Sequence, residues 1–431
     1  MSTIIQGPDT TVLERYSAAL NEPEWVLRSR AAALESVQNL PYPKNSKLRI
    51  NRWPLLDFQP FRIFEGKAEW ESLPAHGLAS LPQQSERNLL VQHGASRWMF
   101  QLSAEWAQKR VLFTDLQTAL QEYPNQVKPY LMRLWERDRD KISCLHQAYW
   151  DNGVFLYVPP NQELILPGEA LFWCEGEQAG MAPHVLIVAG ENSKLTFVEE
   201  RVSLPGQKSI HLGGVEVFVG AGAHVRYAAI HRMRGETSDL TYRRASVQRD
   251  GRIEWVLAEL NDGRSFGDSH SYLEGPGAQA KAQMMAIGTG EQQASYTVRM
   301  THRAPYTTSN IVSSGVLSGT AQLFLNGITT IEKGSRKANG QQKEALLMLS
   351  GQSRGDVNPI LLIDEDDVQA GHAASAGQVN EEHLYYLMSR GVPRVEAEWL
   401  IVQGFLQKVI SAFPVTCLRE HLEKIVEGKL R

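Results

Sequence analysis

The stretch Val215-Glu-Val-Phe-Val-Gly-Ala-Gly-Ala-His-Val-Arg-Tyr-Ala-Ala229 sets two short β-rich runs on either side of a Gly/Ala break. Valine recurs at every second position in the first run, a period of two that suits a strand and not a helix, and the glycines mark a turn between the runs. The same grammar extends both ways. Val154–Val158, Lys194–Val198 and Arg252–Leu257 are further alternating or β-branched runs, and it persists through Ala345–Leu349 and Ile360–Ile363. Gly/Asn/Asp clusters separate the runs at residues 189–192, 219–223, 249–251, 274–277 and 288–290, with Ser-Gly pairs continuing to Gly319. From 190 to 277 these turn signals recur at loose intervals of about 26 to 32 residues, a spacing that suits successive solenoid coils. A sandwich or a barrel fits the strand content as well.

The flanks read differently. Asn21-Glu22-Pro23-Glu24 is a helix-start signal, with Asn able to cap and acids at the positive end of the dipole. A second helix is expected around Asp115–Leu120 and a third from about Gln126 to Ala148, where Val127, Tyr130, Leu131 and Leu134 keep helical spacing. Near the other end, Asn380-Glu381-Glu382 opens a helix, Gly391 is placed to close it and Pro393 opens the next. In that last helix Val395, Trp399, Val402, Leu406, Val409 and Phe413 form one apolar stripe. Two readings of the stripe stand: docking onto the rest of the chain, or a groove for a partner. The expected division is 1–150 helical, 151–368 β core and 369–431 helical.

Composition narrows the function. A 431-residue chain that is 42% hydrophobic can bury a large core, and a net charge of −4 offers no global basic field for nucleic acid or an anionic membrane. With no long apolar run and no basic-then-apolar start, the expected location is cytoplasmic. Cys144, Cys174 and Cys417 are scattered, without a CxxC pair, so the chain encodes neither a disulfide framework nor a self-contained thiolate cluster site.

The segment from Asp364 to Gly377 concentrates the candidate chemistry. Asp364, Glu365, Asp366 and Asp367 precede His372 and a run of small residues. Alternate strand residues face opposite sides, so the four acids cannot converge on one ion along a regular strand; a solvated strand end is the reading they support. His372 reads either as a metal ligand or as the cap of a strand-to-helix junction packed by Ala373, Ala374, Ser375 and Ala376. His302, followed by Thr307, Thr308, Ser309 and Asn310, reads as part of a structural hydrogen-bonded ladder. Asp262, Arg264 and Asp268 are the residues that a β-solenoid polysaccharide lyase or hydrolase would need to bring together.

Several long stretches, in order, resemble the SufB/SufD family of iron–sulfur cluster assembly scaffolds: EPEWVLRSRAAALESVQNLPYP from Glu22, VLFTDLQTAL from Val111, QAYWDNGVFLYVPPN from Gln147, HRAPYTTSN at 302–310, NGITTIEKGSRKANGQQKEALLMLS at 326–350 and DVQAGHAASAGQVNEEHLYYLMSRGV at 367–392. The length and the absence of a cysteine-rich N-terminal part are more similar to the SufD branch. The resemblance implies a right-handed parallel β-helix between helical ends, acting as a noncatalytic scaffold. It implies a SufB-like paralogue paired through the β-helix, and a SufC-like ABC-type ATPase docked on the C-terminal helices, with Tyr385, Trp399, Val402 and Leu406 as contact residues. The chain has no G-x-x-x-x-G-K-[ST] loop of its own, in keeping with an ATPase supplied by another subunit. In many family members the block reads D-V-x-C-x-H; here Ala370 stands at the cysteine position and His372 remains. The resemblance thus implies that His372 serves a transient iron–sulfur cluster at the partner interface, with thiolate from the partner. A homodimer without direct cluster binding is the alternative.

Overall fold

The computed structural model describes residues 10–43, 47–55, 58, 86–135 and 139–430. Its strands are β1 Asn88–His93, β2 Ser96–Gln101, β3 Leu112–Asp115, β4 Asn152–Val158, β5 Gly168–Cys174, β6 Ala179–Met181 and β7 Pro183–Ala189. Then follow β8 Lys194–Ser203, β9 Ser209–Val219, β10 His224–Arg232, β11 Ser238–Val247, β12 Arg252–Glu259, β13 Arg264–Leu273 and β14 Gln279–Gly288. The last six are β15 Gln293–His302, β16 Thr308–Leu317, β17 Gln322–Ile331, β18 Asn339–Met348, β19 Arg354–Ile363 and β20 Gln369–Gln378. Helices lie at both ends: α1 Thr10–Ala19, α2 Glu24–Asn39, α3 Ala104–Gln108, α4 Leu116–Glu122, α5 Pro124–Val127, α6 Lys141–Tyr149, α7 Glu381–Ser389, α8 Arg394–Ile410 and α9 Thr416–Leu430.

The strands form two sheets that the chain visits in turn. One runs β2-β1-β5-β8-β10-β12-β14-β16-β18-β20 and the other β19-β17-β15-β13-β11-β9-β7-β4-β3, with β6 also on β9. Only the outer pairs β1–β2 and β3–β4 are antiparallel. Successive strands of one sheet are one coil apart: Ser238 pairs with Ile210 and Arg264, 28 and 26 residues away, and Gln322 pairs with Arg354, 32 residues away. The architecture is a parallel β-solenoid of about eight coils, and the turn spacing read from the sequence is its coil length. Gly222 and Gly319 take φ of +65° and +64° at these turns, a region where a side chain is strained.

Inward residues stack coil on coil. Val217, Ala245, Val298 and Leu325 on one sheet meet Tyr227, Trp255, Ala282 and Ile311 on the other, all fully or almost fully buried. The interior of the first coil is filled by Trp106 of α3, whose ring would lie 2.6 Å from a Cβ at Gly168. Only glycine fits there.

The N-terminal region departs from the expected reading of helix and loop. It contributes β1, β2 and β3, and the helix expected over 126–148 is broken. The short α5 ends at Val127, and α6 starts afresh at Lys141 behind an Asp140/Ser143 capping box. Helical spacing alone could not reveal this break, because Met132 takes a positive φ of 60° while its N–H and that of Leu134 are drawn to the buried Glu216. Asn21 likewise takes φ of 51°, and Pro23 occupies the capping position of α2. These elements cover the outer face of the β19-to-β3 sheet, with Leu34, Val37, Trp135 and Leu145 against Leu186, Leu212, Leu240 and Phe266.

At the other end, α8 and α9 lie on the outer face of the β2-to-β20 sheet. Val402, Leu406, Val409, Phe413, Leu418 and Leu422 pack with Ala228, Val256, Met285 and Val316. Each fully buried side chain of this kind contributes about 1.5–3 kcal/mol relative to an exposed one. From Val402 onward the apolar stripe is therefore docked on its own chain, and Val402 and Leu406 have no surface left for a partner, whereas Val395 stays exposed. Asn380 caps α7 as expected, its Oδ1 accepting from the N–H groups of Glu382 and His383, and Gly391 closes the helix with φ of +88°.

Candidate functional site

The stretch read as a strand-to-helix junction is itself a strand. β20 covers Gln369–Gln378 and pairs with β18 in strict parallel register, Gln342 opposite His372, Glu344 opposite Ala374 and Leu346 opposite Ala376. Local sequence hid this because a run of Gly, Ala and Ser carries no strand propensity; the backbone pairing to β18 decides the conformation. Residues opposite one another in such a ladder point the same way. Since Gln342, Glu344 and Leu346 are buried on the inner face, His372 also faces inward, on the last coil. It is nonetheless exposed, for no further coil covers it. β19 and β20 end their sheets, and Ile360, Leu362 and Ile363 on β19 are 40%, 53% and 42% exposed.

The four acids begin where β19 ends and form the bend that leads into β20. They staple this coil to the one before. Glu365 accepts from the Gly334 N–H, which holds its carboxyl below the usual range, and Asp367 meets Lys337 Nζ at 2.9 Å while its carbonyl accepts from the Lys337 N–H. Asp366 points to solvent beside Lys333. No metal reading survives for this group.

His302 is fully buried, with Nδ1 2.8 Å from Thr307 Oγ1 and Nε2 2.8 Å from Ser309 Oγ; burial lowers its pKa to about 4. It is a neutral strut in the ladder the sequence suggested. Asp262, Arg264 and Asp268 do not converge: Asp262 pairs with Lys429, Asp268 with Arg244 and Arg299, and Arg264 stands at the exposed start of β13. Cys144 and Cys174 are buried and Cys417 is half-buried, its thiol pushed up by burial.

Sequence reasoning missed a charged cluster inside the solenoid. Glu199 and Arg201, two apart on β8, both face inward, as do His231, Asp239, Arg243 and Glu259. Asp239 Oδ1 accepts from His211 and Thr241, and its Oδ2 lies 2.7 Å from His231 Nδ1 and 2.8 Å from Asn261 Nδ2. Arg201 pairs with Glu199 at 2.8 Å and Arg243 with Glu259 at 3.1 Å. His231, Asp239 and Glu259 offer three ligand atoms within 4.8 Å of one another. A metal is not needed there. Burial alone would lower the His231 pKa, but Glu259 and Asp239 outweigh it and raise it, and the three carboxylates are met by Arg201, Arg243 and this imidazole. The available signal was charge at inward parity on adjacent strands.

Residues 172–405 match the family described as "SUF system FeS cluster assembly, SufBD core domain". Over 428 residues, 98% of both chains, the protein is 37% identical to the iron–sulfur cluster assembly protein SufD of Bacillus subtilis. The chain belongs to the SufB/SufD family. Within that family it is most like SufD. An iron–sulfur cluster assembly SufBD family protein of Staphylococcus aureus is 27% identical over 420 residues, covering 95% of this chain and 90% of the relative, and one of Staphylococcus saprophyticus is 27% identical over 428. Membership places the chain among iron–sulfur cluster assembly proteins. Among the described residues no helix is long and apolar enough to cross a membrane.

Proposed function

We propose that this chain is the SufD-type scaffold subunit of a cluster-assembly complex, itself noncatalytic. It pairs the open coil formed by β19 and β20 with a SufB-like paralogue and presents His372 at the seam. The observation that carries this reading is the edge: among the described strands β20 pairs with β18 alone, leaving its other side open, and it holds His372 on its inner row, beside a β19 with three exposed aliphatic side chains. Such an edge offers backbone hydrogen-bond groups and apolar area together, which is what strand-to-strand association needs. A neutral imidazole suits iron, and with Ala370 beside it in place of a thiol, sulfur ligands would come from the partner or from sulfide.

An ABC-type ATPase would dock on the C-terminal helices through what their own packing leaves free. Tyr385, Tyr386 and Val395 are 76%, 58% and 65% exposed, and Trp399 is half-buried beside them. The test is the mass of the complex formed with a SufB-like chain, comparing wild type with Leu362→Asp. Loss of the pair in the variant is expected; an undiminished heterodimer would remove the β-edge from the interface. A homodimer through the same edge would appear as a doubled mass without the paralogue.

A further inference from the structure

A cleft of about 310 Å³ lies between the outer face of β10, β12 and β14 and the turn that joins α8 to α9. Arg226, Arg252 and Lys281 line it from the sheet, and Lys408 and Arg419 from the helices. Glu254 is the one acid among its lining residues, so five cations stand against a single carboxylate on a chain whose net charge is −4. Strand register brings them together. Arg226, Glu254 and Lys281 are opposite one another on three successive strands, and Arg252 lies two residues before Glu254, so all four project to the same face. Glu254 is buried and already engaged: Arg226 Nη2 lies 2.7 Å from its Oε2, and Arg252 pairs with its Oε1. Lys281 is left over, its next neighbour in the row being the neutral Asn310. Among the described residues neither Lys281 nor Lys408 has an ion-pair partner.

With its carboxylate engaged, the cleft is rich in donors. Arg226 and Arg252 keep N–H groups beyond those that Glu254 takes. Arg419 donates from Nε to the Phe413 carbonyl at 2.6 Å, which leaves its two terminal nitrogens, and Ser411 Oγ accepts from Gln407 Nε2 at 3.1 Å and keeps its own proton to donate. Guanidinium and ammonium groups gathered with a hydroxyl form the donor set that phosphate recognition uses. The placement of Arg419 adds to this, for it stands in the first turn of α9, the positive end of the helix dipole, where a cation is disfavoured. A volume of about 310 Å³ is at the small end of ligand pockets and suits a compact anion.

We propose that this cleft binds a small phosphate-class anion, either free phosphate or the phosphate groups of a nucleotide, and that the bound anion clamps the α8–α9 pair to the solenoid. Gln283 Nε2 donates to the Lys408 carbonyl at 3.3 Å and already ties helix to sheet at this point. An anion held by Lys281 and Lys408 relieves the crowding of like charges and adds charged hydrogen bonds from both walls. The inference depends neither on the open coil nor on a partner subunit.

The test titrates the full chain with inorganic pyrophosphate by calorimetry, in buffer free of phosphate and sulfate, for wild type, Lys281→Gln, Arg419→Gln and a control, Arg249→Gln, which removes an exposed cation outside the cleft. One equivalent on wild type and on the control is expected, with binding weaker by about tenfold or more in Lys281→Gln and Arg419→Gln, the effect of losing a hydrogen bond to a charged group. Pyrophosphate should also raise the melting temperature of wild type and not of those two variants. Melts without ligand check that each variant is folded, and Lys281→Gln, which has no partner to lose, carries the test if Arg419→Gln is not. Displacement of pyrophosphate by ATP without metal extends the site to nucleotides, and failure of ATP to displace it restricts the site to free phosphates; both uphold the anion class. Undiminished binding by Lys281→Gln overturns the proposal, as does an equal loss in Arg249→Gln, which would reveal only a general field, or the absence of stoichiometric binding to wild type. A glutamate oligopeptide that binds the cleft more tightly than pyrophosphate would also overturn it, assigning the cleft to an acidic segment of another protein.

Discussion

His372 and Gln342 are register partners on the last two strands of one sheet, and both look into the solenoid from its uncovered end. Gln342 is locked by two hydrogen bonds, whereas among the described residues no hydrogen bond holds the His372 ring. One is built as framework and the other is left available.

Replacing His372 by Ala removes an exposed side chain from an edge strand, so folding and assembly with a SufB-like chain should be unchanged. Iron and sulfide in the reconstituted complex should fall about tenfold or more, the scale on which metal sites respond to loss of an orienting or binding group. A complex with wild-type iron and sulfide content would end the ligand role.

Leu406→Ala opens a cavity between α8 and the sheet beneath it. It should lower stability by about 2–5 kcal/mol, as buried leucine truncations do. Hydrogen exchange should localise the loosening to α8 and α9. If stability were unchanged while ATPase binding alone was lost, Leu406 would be a partner contact after all.

Tyr385→Asp tests the surface that remains. The tyrosine is mostly exposed, so the change should leave the melting temperature within about 2 °C, as surface substitutions do. Weakened capture of the ATPase subunit, measured by surface binding, is the expected outcome; an unchanged dissociation constant would move the docking surface elsewhere.

Glu216 supplies a pH test with a definite sign. Burial pushes its pKa from 4.5 up to about 8, despite N–H groups of Leu134 and Met132 that favour the charged form. Between those values the unfolded chain has released the proton and the folded one still holds it, so wild type loses stability from this group as pH rises from 4.5 toward 8. Glu216→Gln does not titrate. Its stability relative to wild type should rise across that window by on the order of 1 kcal/mol per pH unit, followed by denaturant melts. A difference that stays flat with pH would mean that Glu216 is ionised in the native protein.

Much of this fold was legible because the solenoid repeats a simple grammar: alternating apolar residues, then Gly and Asn at turns, at the coil spacing seen between Ser238 and its partners. The apolar stripe on α8 was equally plain, but periodicity does not say what covers a stripe, and much of the covering sheet lies more than a hundred residues away. β20 was misread for the opposite reason, since small residues have no local signature and owe their strand to pairing. At the site, His372 stood out through its neighbours in sequence. The burial of Glu344 did not show in the sequence, because a glutamate between Lys343 and Ala345 looks like any solvent-facing charge until the register turns it inward. The break after Val127 depended on Glu216, a residue from a different coil.

The two ends of the solenoid differ in what they can join. Trp106 fills the first coil, while among the described strands nothing pairs with the outer sides of β19 and β20. A rod with one adhesive end is a terminator as well as a joint: once two such ends meet, neither body keeps a free one, and the assembly stops at a pair where a rod open at both ends would grow into a fibre.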